Sequence, residues 1–354
     1  MEKKIVTGLA GYGLSGRYFH APFLASNSSF YTAAVFERTK EESKSDFPEA
    51  QIVRSFDELV SIDELELIVI STPNETHFPY VKKALEKGKH VVVEKPFTCT
   101  VSEADELISI ASKTGKILTV YHNRRYDGDF MTVCKVIEDG SLGRIVEFDS
   151  AISRYRKGTP FRGWKAVKQP GAGILFDLGP HLIDQALLLF GFPDSVWAGL
   201  NYDHKGSEFD DGFTIFMQYE EMRVLLRSGT MIKDGNPRFA VHGENGSYVK
   251  YGFDIQEELL KTGVRPLHAG WAVEDDSGNG ILTVEINGID EKRRIKTVPG
   301  NYQLFYDDLA DAVRSGKNPA VTPQQARNVI AVIEAAHRSA AEKRNIMRGE
   351  IGFI

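Results

Sequence analysis

Gly11-Tyr12-Gly13-Leu14-Ser15-Gly16 has the G-x-G-x-x-G spacing, and the chemistry of that spacing is the holding of phosphate. The first glycine permits a tight turn, the second lets backbone approach a pyrophosphate, and the third lets a helix pack close to a strand. Free N–H groups at the helix start then face the phosphates. With 32 glycines in 354 residues, the pattern would arise by chance in about one chain in four, so its context has to carry the reading. It follows an apolar run, Ile5 to Ala10, and opens a helical stretch to about Ser26. Gly11, Gly13, Leu14, Ser15 and Gly16 are therefore expected to bind a dinucleotide; the alternative is an ordinary glycine-rich strand–helix turn. Glu37 lies 21 residues beyond Gly16, near the position of an acid that holds the adenosine ribose 2′-OH, which favours NAD. Arg38 beside it could instead pair with a 2′-phosphate or stack on adenine, and a solvated surface pair is the third reading. The expected cofactor is NAD(P), with the choice between NAD and NADP open.

Three further segments carry reactive side chains. Thr72-Pro73-Asn74-Glu75-Thr76-His77 follows an apolar run, Leu65 to Ser71, and Glu94-Lys95-Pro96 follows His90 to Val93 with its three valines. Asp177-Leu178-Gly179-Pro180-His181 sits at the start of a later helix. Ligands of open α/β sheets bind beyond the carboxyl ends of the strands, so Thr72, Pro73, Asn74, His77, Glu94 and Lys95 are expected around a bound nicotinamide. An Asp/His pair four residues apart shares one helix face and is more often a surface pair or a cap than a catalytic dyad. No HExxH or thiolate cluster supports a metal site.

The elements that must position these residues fall into two series. Up to about Tyr121, short apolar strands alternate with helices near 78–87 and 102–113, the latter opened by Ser102 with Asp105 and closed by Gly115. Strands without in/out alternation, separated by helices, imply a parallel sheet covered on both faces. Beyond Tyr121, strand-like segments dominate: 144–153, 196–202, 213–219, 223–227, 238–241 and 282–286. An Asn245-Gly246 hairpin signal and three helices, near 126–138, near 178–190 and from Thr322-Pro323 to about Lys343, accompany them. The expected architecture is a Rossmann dinucleotide-binding domain over residues 1–121 and an α+β domain with a large, mostly antiparallel open sheet over 122–354.

The strand–GYGLSG start, TPNETH, VVVEKPF and the Asp177-x-x-x-His181 pair together resemble the Gfo/Idh/MocA oxidoreductase family, almost along the whole chain. Phe19-His20-Ala21-Pro22-Phe23 and Tyr121-His122-Asn123-Arg124-Arg125-Tyr126 resemble its branch of NADP-dependent scyllo-inositol dehydrogenases. The resemblance implies a catalytic trio of Lys95, Asp177 and His181, a Lys95–Pro96 bond that is commonly cis, and a dimer or tetramer built on the open sheet. These residue types suit hydride transfer from a secondary alcohol. Neutral His181 can accept the hydroxyl proton, Lys95 can stabilise developing alkoxide charge, and Asp177 can orient His181 or a substrate hydroxyl. His122 is either a substrate-side residue or a structural histidine. Arg124, Arg154, Arg156, Arg162, Trp164 and Lys165 fit a polyhydroxylated substrate or, singly, a solvated loop. Two departures stand out: Glu37 occupies a place often small or basic in the NADP-using branch, and Pro170-Gly171-Ala172-Gly173 replaces a frequent triple glycine. The leading expectation is a sugar or cyclitol dehydrogenase. Its rivals are a dinucleotide-binding regulator without turnover, and the same site working as a ketone reductase.

Composition limits the remaining classes. The chain is 42% hydrophobic and 26% charged, with net charge −6, and its 354 residues exceed one ordinary core. Such a surface offers no general attraction to nucleic acid or anionic membrane. Cys99 and Cys134 cannot build a disulfide framework, and neither a secretory signal nor a membrane-length apolar run is seen. A reduced cytoplasm is the expected location, and a small-molecule polyol or keto-sugar the expected partner.

Overall fold

The computed structural model describes residues 3–158, 169–266 and 270–354. The chain forms two compact units, each discontinuous in sequence. The first comprises Met1–Tyr126, Gln256–Trp271 and Asn301–Arg327; the second comprises Asp127–Ile255, Ala272–Gly300 and Asn328–Ile354. A single boundary at Tyr121, as expected from the change of rhythm, does not allow for the two later segments that return to the first unit.

The first unit holds a six-stranded parallel sheet: β1 (Ile5–Ala10), β2 (Phe30–Phe36), β3 (Gln51–Val53), β4 (Leu67–Ile70), β5 (His90–Val93) and β6 (Leu118–Val120), in the order 3-2-1-4-5-6. Leu67, Ile68, Val69, Ile70 and the valines 91–93 are all fully buried, as a sheet covered on both faces demands. Between the strands lie α1 (Ala21–Ser26), α2 (Phe56–Val60), α3 (His77–Glu86) and α4 (Val101–Thr114). The start of α4 corrects the expected cap. Thr100 is the extended N-cap residue: its hydroxyl accepts from the Glu103 N–H at 3.2 Å, and the Glu103 carboxylate accepts from the Thr100 N–H at 3.1 Å. Asp105, freed from capping, takes the Arg327 guanidinium at 2.8 and 3.1 Å. The edge strand β3 and helix α2 are too short to show a period in the sequence.

The second unit is built on nine strands: β7 (Ile145–Ser153), β8 (Ser195–Asn201), β9 (Gly212–Gln218), β10 (Arg223–Gly229), β11 (Phe239–Gly243), β12 (Gly246–Lys250), β13 (Gly280–Ile286), β14 (Ile289–Ile295) and β15 (Ile346–Met347). Their order is 14-13-12-11-7-10-9-8-15; β7 and β10 run parallel and every other pair is antiparallel. A hairpin joins β11 and β12 as expected, but its two connecting residues are Glu244-Asn245, and Gly246 is already the first residue of β12. On one face Val196, Met217, Val224, Phe148, Val241, Tyr248 and Leu282 are buried. Helices α5 (Gly128–Glu138) and α6 (Ile174–Phe190) pack against this sheet.

The remaining helices are α7 (Gln256–Lys261), α8 (Gln303–Ser315), α9 (Pro323–Glu342) and α10 (Arg348–Ile351). Helix α8 lies outside the expected elements although its pattern is visible in the sequence. Tyr302, Phe305, Tyr306 and Leu309 recur at helical spacing and pack with Phe23, Phe30 and Tyr121 in the core of the first unit. The expected start of α9 is present: the Gln325 N–H donates to the Thr322 hydroxyl and the Thr322 N–H to the Gln325 side chain.

Candidate active site

The glycine turn sits where β1 ends, beside the point at which the strand order reverses between β1 and β4. Gly11 has φ of 97°, and its N–H donates to the Phe36 carbonyl at the end of β2. A Cβ at Gly16 would overlap the Gly11 carbonyl oxygen and stand 2.9 Å from the Ser71 hydroxyl, so the third glycine is required by the packing of turn on strand. Gly13 differs. It is exposed, and a Cβ there would meet nothing within 4 Å. Nothing among the described residues forbids a side chain at Gly13, and the open cradle in front of it is the space a pyrophosphate needs. Leu14 is 60% exposed at the rim. The turn therefore fits a dinucleotide.

Glu37, expected at the adenosine ribose, has a buried carboxylate engaged by its own loop. It accepts from the Ser43 N–H (2.9 Å), the Ser43 hydroxyl (2.5 Å) and the Glu42 N–H (3.1 Å), holding the short helical turn at Glu42–Ser45. Arg54 ties the same loop by donating to the carbonyls of Glu37 and Lys40. Arg38 is exposed.

Beyond β4, the Thr72 and Thr76 hydroxyls lie 2.5 Å apart, and Thr76 donates to the Pro73 carbonyl. Asn74 begins a single helical turn, Asn74–Thr76, and is partly exposed. His77, expected beside the nicotinamide, is 1% exposed. Its Nδ1 lies 2.7 Å from the Pro96 carbonyl and its Nε2 3.0 Å from the Thr72 carbonyl. Burial pushes its pKa down, against the pull of both carbonyls. The ring is packed between the loop after β4 and the loop after β5, and as a neutral imidazole it donates to one of the two carbonyls.

The loop after β5 carries Glu94 and Lys95, and the Lys95–Pro96 peptide is cis, as the family resemblance implied. Both Glu94 carboxylate oxygens are engaged by protein. Oε1 accepts from the Ser15 hydroxyl and from His20 Nε2 at 3.1 Å, and Oε2 accepts from the Lys95 N–H at 3.0 Å. Burial raises the Glu94 pKa, but the hydrogen bond and charge of His20, with Lys95 and Ser15, outweigh it and hold the carboxyl at about 2. Sequence alone assigns His20 no role. Lys95 itself is partly exposed.

His122 is 2% exposed just beyond β6. Arg124 is paired with Glu257 of α7 at 2.9 Å, so in the first unit its guanidinium serves the α7 contact.

In the second unit, Asp177 and His181 lie one turn apart inside α6, which begins at Ile174 rather than near Leu178. Asp177 is partly exposed and His181 is 5% exposed. Gly173 precedes the helix with φ of 101° and ψ of 164°, and it contributes no side-chain cap. The cap comes from Asp210, which no local sequence signal marks. The Asp210 carboxylate accepts the Leu175 N–H at 2.7 Å, and its backbone carbonyl accepts the Ile174 N–H at 2.9 Å. Burial raises this carboxyl to about 6 despite those donors. Next to it, Asp211 accepts from His204 Nδ1 at 2.9 Å, while His204 Nε2 bonds the Arg156 carbonyl. Arg154 follows β7 and is partly exposed, and its backbone bonds Gly229 and Ile232. Arg162, Trp164 and Lys165 lie outside the described residues.

A 3-2-1-4-5-6 parallel sheet with a glycine cradle at its reversal point defines a Rossmann-type dinucleotide-binding protein, here joined to an α+β unit on a mixed open sheet. Comparison with known proteins sharpens that class. Residues 5–122 match the family model described as "Oxidoreductase family, NAD-binding Rossmann fold", and residues 135–347 match "Oxidoreductase family, C-terminal alpha/beta domain". A scyllo-inositol 2-dehydrogenase (NADP(+)) of Bacillus subtilis (strain 168) is 38% identical over 344 residues, covering 97% of this chain and 96% of that protein. A solved structure from Bacillus subtilis matches with TM-score 0.93 at 36% identity, covering 98% of both chains. One from Bacteroides fragilis matches with TM-score 0.89 at 42% identity, covering 98% of this chain and all of the other. The chain belongs to the Gfo/Idh/MocA oxidoreductase family and is an NAD(P)-dependent enzyme. No described helix is long and apolar enough to cross a membrane.

Proposed function

We propose that the protein transfers hydride between NADP and a secondary alcohol or ketone of a cyclitol or sugar, with an inositol as the leading substrate class. The observation that carries this reading is the position of Lys95. It follows β5 at the carboxyl end of the sheet, and its peptide N–H is held by a carboxylate that also holds the phosphate turn. When bound, the dinucleotide supplies the hydride acceptor or donor. Lys95 donates a hydrogen bond to the substrate oxygen and stabilises its developing negative charge. His181, neutral before turnover, takes the hydroxyl proton, and Asp177 one turn away orients the imidazole or a neighbouring hydroxyl. In reduction the same groups act in reverse. Preference for NADP is supported by the engagement of the Glu37 carboxylate with donors of its own loop, which occupies the oxygens a ribose 2′-OH would use, and by the exposed guanidinium of Arg38. The relative that acts on scyllo-inositol with NADP(+) supports both choices.

Absorbance at 340 nm with a panel of inositols, hexoses and their oxidised forms tests the proposal. Turnover lost in Lys95→Ala and His181→Ala is expected. A silent panel in both directions, with dinucleotide binding intact, would sink it in favour of a regulator without turnover.

We also propose self-association as a homodimer or homotetramer through the open face of the nine-stranded sheet. Register places Trp197, Phe216 and Leu225 in one row across β8–β9–β10, and Val249 beside Ile281 on β12–β13. All are incompletely buried, with Trp197 40% exposed, and they form two apolar patches of the kind interfaces cover, separated in the same register line by Asp149 and Ala240. Sedimentation velocity that finds only monomer removes this part. The two free cysteines support a reducing, cytoplasmic location.

A further inference from the structure

Burying a charged carboxylate requires compensation, and its partners reveal what it holds. Glu94 is such a carboxylate, and its partners come from three places. Ser15 belongs to the phosphate turn, His20 to the helical stretch Gly16–His20 that leads out of that turn, and Lys95 to the loop after β5. His20 is completely buried. Its Nδ1 lies 2.6 Å from the Tyr306 hydroxyl on α8, and its ring sits 4.4 Å from that of Tyr121. An ionised carboxylate only accepts, so His20 Nε2 carries the proton in its bond to Glu94.

We propose that His20 and Glu94 act as one positioning unit that couples the phosphate turn to Lys95. One carboxylate oxygen anchors Ser15, the other anchors the Lys95 peptide, and His20 fixes the carboxylate between them against the α8 core. Neither residue is assigned contact with substrate, and the unit makes dinucleotide binding and Lys95 placement depend on one another. This rests on the proposed role of Lys95 for its kinetic consequences but not for its binding consequences. The titratable groups facing Glu94 are His20, Tyr306 behind it, Lys95 next in the chain and His77 on α3.

The test uses two variants of the full-length protein. In His20→Gln the side-chain amide nitrogen falls near the place of Nε2 and can still donate to Glu94. In His20→Asn the shorter amide falls near Nδ1, keeping the Tyr306 contact and losing Glu94. Loss of one hydrogen bond to a charged group corresponds to roughly tenfold or more. His20→Asn should therefore raise the dinucleotide Kd about tenfold and lower kcat by a similar factor. It should also bring into kcat/KM an acid limb at higher pH than in the parent, as Glu94 loses its compensating donor and its pKa rises. His20→Gln should restore Kd, kcat and the flat acid side to within about threefold. Equal impairment of both variants would mean that ring packing alone matters and would overturn the proposal. So would a His20→Asn enzyme with parental Kd and pH profile. If the parent turns over no polyol at all, the proposed function fails while the Kd comparison, read by quenching of intrinsic fluorescence on titration with NADPH, still decides the coupling of Glu94 to the phosphate turn.

Discussion

Gly173→Ala probes how the second unit places Asp177 and His181. The parent glycine has φ of 101° and ψ of 164°, a region open essentially only to glycine. An added Cβ would overlap one oxygen of the Asp210 carboxylate and stand 2.8 Å from its Cγ and 3.1 Å from the other oxygen. That carboxylate receives the Leu175 N–H at 2.7 Å, so it cannot move away without uncapping α6. Strain of this kind costs about 1–3 kcal/mol, and losing a hydrogen bond to a charged group costs about 1.5–3 kcal/mol more. The total expected is roughly 3–5 kcal/mol. Gly158→Ala is the control, because φ there is 102° and among the described residues a Cβ would meet nothing within 4 Å. It should lose only the strain. Urea denaturation followed by circular dichroism compares the two, and steady-state kinetics reports whether the first turns of α6 have shifted. Gly173→Ala should fall about 2 kcal/mol below Gly158→Ala and lose most of its kcat. Equal midpoints, with equal kcat, would refute the argument that Asp210 holds this helix start.

Asp210→Asn keeps an acceptor for Leu175 but cannot titrate. Because burial raises the parent carboxyl to about 6, the parent loses stability as pH climbs from the ordinary carboxylate range through that value. The variant should gain on it by on the order of 3 kcal/mol between about pH 4 and pH 7; urea midpoints that track together across this window would contradict the assignment. Arg38→Ala should raise KM for NADP about tenfold and leave KM for NAD nearly unchanged, the scale of one charge-assisted contact to phosphate. Glu37→Gln should lower stability by about 1–3 kcal/mol through the Glu42–Ser45 turn without altering the NADP-to-NAD ratio, and a ratio shifted tenfold toward NADP would place the carboxylate at the ribose instead.

Local sequence determined much of this protein. Unbroken apolar runs at Leu67–Ile70 and the valines 91–93 specified strands covered on both faces, and helices between them required parallel order. Glycine spacing placed the phosphate turn, position after a strand placed Lys95, and i, i+4 spacing put Asp177 and His181 on one helix turn. Each of these follows from backbone geometry, which a short window of residues dictates. The repeat of Tyr302, Phe305, Tyr306 and Leu309 was equally legible in principle, yet its return to the first unit was not.

Side-chain direction was decided by tertiary structure alone. Glu37 occupies the expected place in the chain, but donors at Glu42 and Ser43 reach its carboxylate and turn it inward. Glu94 is anchored by His20 and Ser15, His77 is packed between the carbonyls of two loops, and α6 is capped by Asp210 from beyond β8. A hydrogen bond forms only when partners meet within about 3 Å. Linear spacing fixes where along the backbone a group stands, whereas the donor that reaches it comes from whichever segment the packed core brings alongside.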